Sequence, residues 1–353
     1  MFKITPMFKI IAAVISVGVL SGAVYYASST DSTYKGIVAS NGQQQVYQLE
    51  KQFSLQFLSS AKNLHIMISQ YCQAKSTMSL DQVQSAWLDS IKAWMPLQGQ
   101  AKGPKEAVSL GWNIQFWPDK KNITGRKMEQ ILQDKALWNS KSIAEQSVTV
   151  QGVGGLEWLL FDAQSEFSKG DKSSCPLVLA VSENVEHNAA IIDQQWQVNP
   201  WASYDDQQWQ AEYFGLLMNQ LDFLLQKMSR PLAKIAHPRP YFSEAWRSKQ
   251  SLMLMKVNVE ALRKLYLAKG NGLDAQLRQH ENMDLANRLL AQFDLTISTW
   301  PRETSLFEML QTKEGYKQAL VQYNKLERLK YLIHDEVAVE LGIVVGFNST
   351  DGD

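Results

Sequence analysis

The stretch Gln151–Asp162, QGVGGLEWLLFD, sets one carboxylate, Glu157, between three glycines and an apolar run that ends at Asp162. Read as a helix, it places Val153, Leu160 and Phe161 three and four residues from Glu157, so the carboxylate is shielded from water. A shielded carboxylate is costly unless it has a basic side chain, N–H donors or a metal ion beside it. The glycines at 152, 154 and 155 permit close backbone approach or a turn just ahead of the helix. A structural ion pair near a helix N-terminus would account for the same residues.

Three further stretches combine irregular backbone with polar and aromatic side chains. In Trp112–Asn122, WNIQFWPDKKN, the Trp117-Pro118 pair breaks the chain, and Asp119 and Lys121 follow as a binding rim or as a solvated turn. In Tyr241–Leu252, YFSEAWRSKQSL, Ser243 is expected to cap a helix that carries Glu244, Arg247 and Ser248 on one face beside Trp246. That face suits a polar ligand or a metal-bound anion, and equally a surface ion pair. The last stretch, LGIVVGFNSTDGD, has Gly342 to stop the final helix, then Asn348 and Asp351 among clustered oxygen donors. It resembles half of a calcium loop without the distant glutamate, or a frayed tail.

If these stretches converge, Asp119, Glu157 and Glu244 supply hard oxygen ligands suited to Fe(III) or Ca²⁺. Lys121 and Arg247 then balance charge or hold an anionic chelate, with Trp117 and Trp246 as walls. The five histidines are scattered. Glu183 and His187 share metal-compatible spacing, a pairing more often structural. The sequence contains no H-E-x-x-H, nucleophile elbow, phosphate loop or dinucleotide fingerprint.

The elements that must position these residues are helical. Apolar residues recur at three- and four-residue spacing from Gln45 to Gln73 (Phe53, Phe57, Ala61, Leu64, Ile68). Ser79 and Gln82 form a capping box, and Pro176 sits in the first turn of the helix opening at Ser174. Further helices are expected over Arg126–Trp138, Val153–Ser168, Asp206–Met228, Ser243–Ala268, Met283–Ser298 and Tyr316–Leu341, punctuated by proline and glycine. With no run of alternating strands, the pattern implies an all-α protein of two antiparallel helical bundles. The first spans about 45–205 and the second 206–353.

Lys plus Arg equals Asp plus Glu at 35 each in 353 residues, so no basic field exists for nucleic acid. Lys3 and Lys9 precede an 18-residue apolar run, Ile10–Ala27. Residues 1–27 therefore read as a secretory signal or, at the lower length limit, an uncleaved membrane anchor. Leu20-Ser21-Gly22-Ala23 has Ala where a lipobox needs Cys. Either reading exports the rest of the chain to the periplasm. Cys72 and Cys175, the two cysteines, form a disulfide there or remain two buried thiols.

FWPDKKN, VQGVGGLEWLLFD, AWRSKQSLMLMKVNVEAL and LGIVVGFNSTDGD occur in the same order in the imelysin family, most like its branch of bacterial periplasmic lipoproteins. The resemblance covers about Tyr47–Asp353. It implies two four-helix-bundle-like halves with a site in the cleft between them, and a link to iron uptake; some members carry a peptidase label. The family signature G-x-H-x-x-E falls on Gly152–Glu157, where Gly154 replaces the histidine. Glu157 thus loses an imidazole at i,i+3 with which to share a metal. The expectation is a non-catalytic envelope protein that binds a metal, an iron complex or a partner protein at this cleft. An imelysin-type metallopeptidase and a structural scaffold for a redox or transport partner are the alternatives.

Overall fold

The computed structural model describes residues 42–134, 138–235 and 237–343. The N-terminal segment read as a signal or anchor, and Asn348 and Asp351, lie outside the described residues. Within them the chain is helical, and the β-pairing is an isolated bridge, Lys234 with His237. No helix among the described residues is long and apolar enough to cross a membrane.

The first long helix, α1, covers 42–71 and buries Val46, Phe53, Phe57, Ala61, Leu64 and Ile68, the stripe its periodicity requires. Leu80–Trp94 forms α2, opened by the expected Ser79–Gln82 capping box. Ile123–Gln133 is α3, Val153–Phe161 is α4 and Cys175–Gln195 is α5. α1 and α5 run antiparallel in constant register: Ser54 bonds Asp193, His65 bonds Ser182, and Cys72 is disulfide-bonded to Cys175. The chain then turns through Trp201–Tyr204, and Asp205 caps α6, Asp206–Leu232. Ser251–Leu267 (α7), Met283–Ser298 (α8) and Lys313–Tyr331 (α9) complete a second group, in which α6 packs on α7 and α9, and α8 on α7 and α9. Gly342, at φ 62°, ends the last turns as expected.

The two groups meet at the corner 95–98 that follows α2. Gln220 of α6 donates to Pro96 O at 2.8 Å and Asn258 of α7 to Met95 O at 2.7 Å, so both inner helices of the second group grip this corner. The disulfide closes a loop with a sequence separation of 103 residues, which limits the unfolded ensemble. Replacing both cysteines by serine is expected to lower the unfolding free energy by about 2–4 kcal/mol. Urea denaturation of the variant, compared with wild type with and without reductant, checks this.

The helix expected to open at Ser243 does not form there. Ser251 is its first residue, because Ala245 (φ 46°) and Lys249 (φ 60°) sit in the left-handed region and break the helical path. Glu244, Arg247 and Ser248 therefore project from a loop and do not share one helical face. Likewise α4 stops at Phe161, short of Ser168, and α9 passes into a π-helical segment, Leu332–Val337.

Candidate functional site: a polar pocket between the two helical groups

Segment 115–124, the start of α4 and loop 241–247 line one small pocket. The glycines ahead of Glu157 explain how α4 comes so close. A Cβ on Gly152 would lie 2.1 Å from Ile114 O, and one on Gly155 would lie 2.5 Å from Val150 O, so neither position tolerates a side chain. Gly154 is different, since an added Cβ there meets nothing within 4 Å. The position that lacks the signature histidine is the one with space beside it, and it lines the pocket.

Glu157 is 6 % exposed. Its Oε1 accepts hydrogen bonds from the Ser248 N–H and the Ser248 hydroxyl, both at 2.9 Å. Its Oε2 has no hydrogen-bond partner among the described residues. Burial raises its pKa above the usual carboxylate value; the Arg247 charge and the Ser248 hydrogen bonds oppose this, and nearby Glu244 adds to it. Ser248 is thus the anchor of Glu157 and does not itself line the pocket.

Glu244 is buried deeper, at 1 % exposure. Gln115 donates to its Oε1 at 2.8 Å and Gln98 donates to the same oxygen. The ammonium of fully buried Lys227 touches Oε2 as an ion pair, without the angles of a directed hydrogen bond. Lys227 also donates to Gln98 Oε1 and Asn258 Oδ1, each at 2.7 Å. Burial pulls the Lys227 pKa down, and Glu244 pulls it back up. This pair links α6, the 95–98 corner and the pocket loop.

Arg247 donates from Nε to Asp162 and from a terminal nitrogen to the Asn122 side chain, both at 2.6 Å. Its guanidinium lies over the Trp246 ring, 4.4 Å from the centroid. Asp119 lines the pocket but has both oxygens engaged, by the N–H groups of Ile123 (2.6 Å) and Thr124 (2.9 Å). It caps α3 in place of Asn122, whose left-handed backbone (φ 50°) gives no side-chain cap. Lys121 is exposed and lies outside the lining. Trp117 lines the pocket, held by its Nε1–H to Phe242 O at 3.1 Å.

Asp119, Glu157 and Glu244, expected as a ligand set, therefore share one pocket, yet Asp119 and Glu244 have committed their oxygens elsewhere. Among the described residues no three His, Cys, Asp or Glu side chains stand at metal-binding spacing. Among the described residues, Glu157 Oε2 and the hydroxyl of Ser243, a residue 2 % exposed, are pocket acceptors without a hydrogen-bond partner. Two such acceptors are too few for a fully coordinated structural metal and leave room for a lightly held cation. The pocket holds about 40 Å³, room for roughly three waters. Glu183 and His187 are both exposed and lie outside the pocket lining.

Sequence reasoning missed Lys227, Gln98, Gln115, Ser243 and Tyr241. Lys227 carried a usable signal, since it stands in an apolar stretch of α6 with Phe223, Leu224 and Pro231 at helical spacing. The glutamines and Ser243 carried none, because their relevance depends on long-range packing.

The profile of the family described as Imelysin matches residues 55–333. An imelysin-like protein from Psychrobacter arcticum 273-4 superposes with a TM-score of 0.72 at 19 % identity, covering 88 % of this chain and 98 % of that one. A Parabacteroides distasonis ATCC 8503 protein, called an iron-regulated protein A precursor, superposes with a TM-score of 0.70 at 13 % identity, covering 88 % and 96 %. No curated protein sequence matches the chain. The profile match spans most of the sequence and the neighbours share its all-α fold: the chain belongs to the imelysin family.

Proposed function

We propose that the protein is a non-catalytic binding protein of the bacterial periplasm. In this reading the pocket between its two helical groups takes up a cation, with iron, bare or chelated, as cargo. One observation carries the reading: a buried carboxylate, Glu157, is fixed through Oε1 and leaves Oε2 without a partner at a pocket with open space beside Gly154. A bound cation would relieve the cost of that burial. The name of the Parabacteroides neighbour supports an iron-associated role. The basic and apolar N-terminal sequence supports export, and the Cys72–Cys175 disulfide supports an oxidising compartment. Peptidase chemistry is less well supported, because the lining offers no imidazole or thiol to act as base or nucleophile.

Isothermal titration with Fe(III), Fe(III)-citrate, Zn²⁺ and Ca²⁺ tests the reading. At least one should bind, and Glu157→Gln should weaken it by about tenfold or more. No heat with any of them, or equal affinity in the variant, contradicts it. If Glu157→Ala instead lowers only the melting temperature, a purely structural scaffold role is the better account. Gly154→His supplies a second ligand at i,i+3 where a side chain fits, so Zn²⁺ affinity should rise by about tenfold or more. The same titration reads that gain.

A further inference from the structure

We infer that the pocket recognises a primary alkylammonium group, so that its ligand bears an amine, alone or on the molecule that chelates the iron. This rests on reading the pocket as a cation site.

The walls argue for an organic cation. Alongside the carboxylates, the lining includes Phe116, Trp117, Tyr241 and Trp246. A bare metal ion draws on oxygen ligands and gains little from such walls, whereas aromatic faces attract ammonium groups and cover an alkyl stem. Tyr241 is 63 % exposed at the mouth, yet its ring is braced edge-on by Trp246 at 5.0 Å and Phe307 at 4.9 Å. An exposed aromatic held by two others is a preformed platform whose ordering cost has been met in the free protein.

The interior argues for a primary amine. An –NH₃⁺ group carries three donors and no acceptor. The pocket offers acceptors in want of donors, namely the unpartnered Ser243 hydroxyl and Glu157 Oε2. A quaternary ammonium has no N–H to donate and would leave both unpaired. The local charge points the same way. Asp119, Glu157, Glu244 and Asp162 stand against Lys227 and Arg247, and both cations are already ion-paired. An anionic ligand would meet carboxylates and find neither base free.

Tryptophan fluorescence and isothermal titration with butylammonium and cadaverine test this, with butanol, butyrate and tetramethylammonium as controls. The two primary amines should bind, and the three controls should not. Glu157→Gln should abolish amine binding, and Tyr241→Ala, a change at an exposed position, should weaken it by about fivefold or more. Metal binding without amine binding up to millimolar concentration overturns this inference and leaves the cation-site reading standing. Absence of both overturns both. Amine affinity that is unchanged in Tyr241→Ala, or matched by tetramethylammonium, also overturns the inference.

Discussion

Replacing Lys227 with methionine is expected to lower the unfolding free energy by about 3–5 kcal/mol, the usual consequence of stripping one partner from a buried ion pair. The cost arises at Glu244, which would be left charged at 1 % exposure with only the Gln98 and Gln115 amides for compensation. Asn258 Oδ1 would lose its donor in the same step, and Gln98 Oε1 would keep only the long bond from the Asn258 amide, at 3.5 Å. Glu244→Gln should cost less, because burial already pulls the Lys227 pKa down and the amine can shed its proton. The double variant Lys227→Met with Glu244→Gln should recover more than half of the single loss. Urea denaturation of the four proteins gives the coupling energy directly. Additive effects would mean that the pair does not hold the two helical groups together.

Glu50→Gln should stabilise the protein, and do so increasingly with pH. Glu50 is fully buried in α1; its Oε2 accepts one hydrogen bond, from Gln100 at 2.6 Å, and its Oε1 has none. Burial pushes its pKa from 4.5 up to about 8, against the smaller pull of Gln100. Between those values the folded protein holds a proton that the unfolded chain has released. Stability from this group is therefore complete below pH 4.5 and is lost as pH rises through 8. The loss accrues at about 1.4 kcal/mol per pH unit and reaches on the order of 5 kcal/mol above the folded pKa. Glutamine has no proton to lose, so the gap between variant and wild type should be small in mild acid and several kcal/mol in mild base. Denaturation at both pH values reads it, and a gap independent of pH would contradict the account.

Glu50 and Lys227 illustrate what the sequence could have revealed. Glu50 falls on the apolar stripe of α1, four residues after Val46 and three before Phe53, as Glu157 does among Val153, Leu160 and Phe161. A charge on a buried stripe is a signal that periodicity alone exposes. The helical class, the α2 capping box and the positions of α6 and α8 follow from the same local rules. What local rules could not supply was loop 243–250. Capping logic favoured a helix from Ser243, and the left-handed Ala245 and Lys249 redirect Glu244, Arg247 and Ser248, with the Ser248 N–H turned to Glu157 of α4. Asp119 likewise looked like a ligand because nothing local shows that it serves the α3 amides. Convergence of 115–124, 154–157 and 241–247 is a tertiary fact.

The central claim is that the pocket beside Gly154 receives a cation at Glu157. Crystals soaked in a simple Fe(III) salt and measured at the iron edge test it most directly. The account predicts an anomalous peak in this pocket, next to Glu157 Oε2 and Ser243 Oγ, that disappears in Glu157→Gln. A well-ordered pocket with no peak, or a peak that survives the substitution, would contradict it.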